Sequence, residues 1–94
     1  MSIAAEICRQ IKVIDRMAFS AWGAKDFVNM GDGIKFKSSG CVTKKCYVYI
    51  KLDISTDTYS ISFFTIRKAK IVTIKTIDHI FVDGLVSAID AVVG

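Results

Sequence analysis

Between residues 34 and 77 apolar and polar side chains alternate in short runs broken by turn-forming residues, and the segments on either side repeat their apolar residues at intervals of three and four. A period of two is that of a strand with one wet face, whereas spacings of three and four mark an amphipathic helix. The chain is thereby confined to helix, strands, helix. Ile34 and Phe36 alternate with Lys35 and Lys37. Over residues 46–52, Val48, Ile50 and Leu52 point one way and Tyr47, Tyr49 and Lys51 the other. Tyr59, Ile61 and Phe63 then oppose Ser60, Ser62 and Phe64, the wetter set. A fourth run over residues 70–77 sets Val72, Ile74 and Thr76 against Ile71, Thr73 and Lys75, and either set fits a core.

Turns punctuate these runs at residues 29–33, where Gly31 and Gly33 bracket Asp32, at 38–40 and at 53–58. Ahead of them Ser2 is placed to cap a helix with the stripe Ile3, Ile7, Ile11 and Ile14, widened by Ala4 and Cys8, while Glu6, Arg9, Gln10 and Lys12 face water. Residues 13–27 read as a connector anchored by Phe19, Trp22 and Phe27, with Gly23 turning the backbone. The last helix starts near Val82 or Asp83, buries Leu85, Ile89 and Val92 with Val86 beside them, and stops at Gly94. The expected fold is α+β: an antiparallel β meander of about four strands, with the N-terminal and C-terminal helices packed on one face. Residues 1–94 are expected to form one compact domain, since 52% hydrophobic residues suffice for a core and no linker or repeat divides them.

Charge is concentrated on the alternating stretch. From residue 35 to residue 75 nine bases meet two acids, Asp53 and Asp57, leaving +7; elsewhere four bases meet seven acids, leaving −3. A polyanion would bind the middle of the chain, not its ends. On the exposed sheet face Lys35, Lys37, Lys51 and Lys75 are expected to supply charge and Tyr47, Tyr49 and Phe64 rings, a combination that neutralises phosphates and stacks unpaired bases. Lys44 and Lys45 before the second strand, and Arg67, Lys68 and Lys70 before the fourth, add basic loops. The same pattern also suits a solvated face whose tyrosines pack across strands, or an interface where Phe64 and Ile71 anchor a homodimer or another protein. Trp22 reads first as a core residue and second as an interface anchor.

Other chemistry finds less support. His79 is the one histidine, beside Asp78 in an expected turn, with no second histidine or neighbouring cysteine to complete a zinc site or a Cys-His dyad. Asp53 and Asp57 solvate a hairpin, and Asp83 caps or charges a helix start; Mg²⁺ would need all these to meet Asp78. Gly31-Asp32-Gly33 lacks the lysine and hydroxyl residue of a phosphate loop. The expectation is a non-enzymatic protein with no cofactor and no metal. Uncharged stretches at residues 17–24 and 58–66 fall far short of the about 18 residues of a membrane span, and the first residues lack the pattern of an export signal. Cytoplasmic location and reduced thiols at Cys8, Cys41 and Cys46 follow as expectations, a Cys41–Cys46 bridge across a hairpin being the alternative.

Three segments carry a resemblance: Ala21, Trp22, Gly23, Ala24, Lys25, Asp26 and Phe27; Asp57, Thr58 and Tyr59 at a strand entry; and Phe81, Val82, Asp83, Gly84 and Leu85 before the last helix. With the N-terminal helix and basic strand segment they resemble small, poorly characterised accessory proteins of bacterial phages and mobile elements. Trp22 and Gly84 stand where that pattern has smaller or polar residues, and the cysteine-containing loop departs from it. The resemblance implies action inside a bacterium, on nucleic acid or on a host complex that handles it. It brings no catalytic residues. Two functions are therefore expected: an accessory factor binding single-stranded DNA or RNA, or an inhibitor or adaptor docking on an acidic surface of a host protein.

Overall fold

The computed structural model describes residues 3–38 and 46–93, apart from the side chains of Arg67 and Val93. Helix α1 (Ile3–Ile14) buries Ala4, Ile7 and Ile11. Ile14 shares the angular position of this stripe but is the last residue of the helix and is 45% exposed, contrary to the expected stripe. The cap expected from Ser2 lies outside the described residues. Glu6 accepts from Arg9 and from Gln10 Nε2 at 3.0 Å, and Gln10 Oε1 in turn accepts from the Tyr59 hydroxyl at 3.0 Å, which ties the helix to the sheet.

A one-turn helix α2 (Ala18–Ala21) leads into five antiparallel strands: β1 (Lys25–Asn29), β2 (Gly33–Ser38), β3 (Cys46–Asp53), β4 (Thr58–Arg67) and β5 (Lys70–Ile80). Each strand pairs with its neighbours in sequence, in the order β1-β2-β3-β4-β5. The meander is as expected, with one strand more. β1 was hidden because KDFVN does not alternate: Asp26 takes φ +56° and the register with β2 shifts between Lys25 and Val28. After β5 a single 3₁₀ turn (Val82–Gly84) delivers helix α3 (Leu85–Val93), which buries Leu85, Ile89 and Val92.

Register sorts the sheet into two faces. Phe36, Val48, Phe63 and Lys75 lie in one cross-strand row, and Ile34, Ile50, Ile61 and Ile77 in the next. These rows form the helix side, where all but the β5 members are buried with Ile7, Ile11, Leu85 and Ile89. The other face carries Lys35, Tyr49, Ser62 and Thr76 in one row and Lys37, Tyr47, Phe64 and Thr73 in another. Trp22 is fully buried, as a core residue; Phe19 and Phe27 lie half-buried and exposed respectively at the rim of its cluster. Phe19 meets Trp22, Phe27 and Phe36 edge-on at 5.3–5.7 Å, and Trp22 stacks on Phe36 with 6° between the planes.

Two turns fix how the strands meet. Asn29 Oδ1 accepts from Gly31 N at 2.9 Å while Gly31 takes φ +86°, closing β1 onto β2. Gly33 then passes so close to β3 that a Cβ there would lie 1.9 Å from the Ile50 carbonyl oxygen. Gly33→Ala is accordingly expected to lower stability by at least ~3 kcal/mol, because backbone rather than a flexible side chain blocks the methyl. Urea unfolding followed by circular dichroism measures this directly. The two-residue β4–β5 turn works the other way: Lys68 and Ala69 hold φ +49° and +63° without glycine's freedom. Ala69→Gly is expected to raise stability by about 0.5–1 kcal/mol in the same experiment.

Candidate nucleic-acid interface

Both helices cover one face of the sheet, leaving the other as an open platform. Its cations come from alternate positions of three strands: Lys35 and Lys37 on β2, Lys51 on β3 and, through the pairings Lys25 with Lys37 and Val28 with Lys35, Lys25 on β1. Between them stand Tyr47, Tyr49 and Phe64. The Tyr47 and Phe64 rings, cross-strand partners, stack with centroids 5.4 Å apart and 15° between planes. Lys35 Nζ lies 5.7 Å from the Tyr47 ring centroid, within cation–π range.

Asp32 organises the opposite corner. Its Oδ1 accepts a hydrogen bond from the Tyr49 hydroxyl, and its Oδ2 lies 3.7 Å from Lys51 Nζ. The Asp32 carbonyl also accepts from Leu52 N at 2.9 Å, so the turn that presents this carboxylate is pinned to β3. Lys51 and Asp32 are both well exposed, and an ion pair of that kind contributes little to stability. Its effect is local: one cation of the platform is partly neutralised. Among the described residues Lys25, Lys35 and Lys37 have no carboxylate within salt-bridge distance.

The expected site residues divide into four groups. Lys35, Lys37, Tyr47, Tyr49, Lys51 and Phe64 share the open face as anticipated. Lys75 does not: it pairs with Phe63, on the helix side, because the β4–β5 register shifts between Phe63 and Phe64 and reverses the faces expected from simple alternation. Lys68 belongs to the β4–β5 turn, beyond the apolar row Ile66 and Ile71, and Lys70 opens β5 on the helix side, paired with the backbone of Arg67 that ends β4. Lys44 and Lys45 lie outside the described residues, as does Cys41 with its suggested bridge to the buried Cys46. Two contributors were not anticipated as site residues. Lys25 belongs to a strand without alternation, and Asp32 read only as a turn residue, although an acid between glycines beside a basic strand was a usable signal.

Elsewhere the polar groups have local roles. Asp53 Oδ1 accepts from Ser55 N at 3.1 Å and Ser55 Oγ at 2.7 Å, which holds its carboxyl below the ordinary range and closes the β3–β4 turn. His79 lies within β5 rather than in a turn, exposed and at φ +58° beside a second register shift. Asp83 sits in the 3₁₀ turn, whose start has no side-chain cap. Among the described residues no three histidine, cysteine or acidic side chains gather as metal ligands, and no helix is long and apolar enough to cross a membrane.

Compared with protein-family models, curated proteins and solved structures, the chain matches none. Functional interpretation rests on the geometry of the platform. Burial, reinforced by the hydrogen bond to Asp32 and its negative charge, pushes the Tyr49 phenol from its ordinary 10.0 up to about 12. Because the folded value is the higher one, the protonated phenol's contribution to stability is complete below pH 10 and is lost as pH rises toward 12. Spectrophotometric titration of Asp32→Asn should return the Tyr49 transition toward pH 10.

Proposed function

We propose that the open sheet face binds single-stranded nucleic acid without catalysing a reaction on it. The observation that carries this reading is the arrangement of Lys25, Lys35 and Lys37, unneutralised among the described residues, around the stacked Tyr47–Phe64 pair. A flat or gently twisted platform cannot enter the deep, narrow major groove of duplex RNA, but it can receive splayed bases on its rings and the backbone on its lysines. In this mechanism a base stacks against the aromatic pair and Lys35 leaves the Tyr47 ring for the adjacent phosphate. Tyr49 and Lys51, held by Asp32, bound the platform at its less positive end. Either DNA or RNA satisfies these contacts.

A second reading has its own support. Tyr47 and Phe64 already satisfy each other, and Tyr49 is engaged by Asp32, so the aromatic groups are partly used within the face. The lysines alone would then dock on an acidic protein surface. The two readings differ in what the rings contribute.

Fluorescence anisotropy with a labelled single strand of about 20 nucleotides, against a matched duplex competitor, tests the proposal. Saturable binding that prefers the single strand is expected, with a log–log salt slope of about −2 to −3 for three or four phosphate contacts. Phe64→Ala is expected to weaken it by about tenfold through lost stacking while leaving the salt slope unchanged, and Lys37→Ala to weaken it and flatten the slope. Equal affinity for duplex, or indifference to Phe64→Ala in a folded variant, would transfer the assignment to the acidic-surface reading.

A further inference from the structure

The two edges of the sheet are unlike. β1 has five residues, a register shift and a left-handed Asp26, the features by which a sheet blunts an edge. β5 has eleven residues and, among the described residues, no strand on its outer side. Ile71 is 69% exposed, and Val72 and Ile74 are exposed beside it. Such a strand is a template for another, and the chemistry along it identifies which.

β5 carries Lys68 and Lys70 at its turn end and Asp78 at its other end. An antiparallel neighbour of the same sequence brings basic end to acidic end; a parallel one sets like charges together. The irregularity in β5 sharpens the match. Between the pairs Phe63–Lys75 and Phe64–Thr73 it leaves Ile74 outside the register, so that Lys70 and Val72 share the helix side with Lys75 and Ile77, whereas Ile71 and Thr73 share the open face with Thr76. In a two-fold dimer, opposed residues must lie on the same face. With this bulge two axes keep faces matched: one between Thr73 and Ile74, which sets Val72 against Lys75, and the better one between Ile74 and Lys75, which sets Val72 against Ile77.

We propose that a second copy of this chain adds antiparallel along β5 about that axis, joining two five-stranded meanders into one continuous sheet. Val72 then opposes Ile77 of the copy and Thr73 opposes Thr76, a β-branched pair on one face and a threonine pair on the other. Ile71 opposes Asp78 on the open face. One contact is unfavourable: the two Lys75 side chains lie diagonally across the axis. The join also places the two open faces side by side, because a two-fold axis perpendicular to the sheet preserves its sides.

Sedimentation equilibrium of the full chain between about 1 and 100 µM tests this, across the affinities at which such an edge would associate. A reversible monomer–dimer equilibrium is expected. Val72→Lys should weaken dimerisation by at least tenfold. Lys75→Thr should tighten the dimer by about threefold, a direction that misfolding cannot imitate. A protein that stays monomeric throughout, or a dimer indifferent to Val72→Lys and Lys75→Thr, would overturn the proposal.

Discussion

The architecture depends on Trp22. Its indole lies flat on Phe36, its N–H donates to Asp90 Oδ1 at 3.2 Å, and its carbonyl accepts from Ser38 Oγ at 2.7 Å. One residue of the connector thus grips β2 at two points and α3 at a third. The packing dominates: losing a buried aromatic side chain costs ~3–5 kcal/mol, whereas a hydrogen bond to a carboxylate that water can also reach adds about 1 kcal/mol. Fixing Trp22 fixes the exit of the connector, so that the next residues run along β2 as an added strand. The polarity of the sheet follows, because helices gather on the side where Trp22 and Phe36 lie, and the lysines of β2 are left on the other.

That separation of faces is also the origin of the platform. Lys35 and Lys37 are on the open side because Ile34 and Phe36 are required on the buried side, and the same holds for Tyr47, Tyr49 and Lys51 against Val48, Ile50 and Leu52. Asp32 introduces asymmetry into an otherwise positive surface. By engaging Tyr49 and Lys51 together it divides the face into a neutralised corner and a set of ammonium groups around Tyr47 and Phe64 that, among the described residues, meet no carboxylate.

Legibility followed the strength of periodicity. β2, β3 and β4 alternate without interruption, and their inward and outward residues were readable one by one. Both helical stripes were readable too, except that Ile14 closes its helix and stays exposed there. What could not be read was wherever the backbone leaves its repeat: at Asp26 in β1, around Ile74 and at His79 in β5. A bulge inserts one residue and reverses every face beyond it, so period-two reasoning assigned Lys75 to the platform. Asp26 and His79 take left-handed backbone angles that their residue types tolerate without announcing, unlike a glycine. The platform was thus legible through Lys35, Lys37, Tyr47, Tyr49, Lys51 and Phe64, and illegible where Lys25 and Asp32 enter from less regular segments.

The helix-side core has a kinetic meaning. Every strand pairs with its neighbour in sequence, so each hairpin can form by closing a short loop. Yet the buried cluster runs from Ala4 to Val92, and α1 touches α3 across nearly the whole chain. No hairpin can shed water from its apolar face until helices from both ends have arrived. Pairing is local but reward is global, and the expected result is a cooperative transition in which the sheet's order is drafted early and made durable only when the helices meet over it.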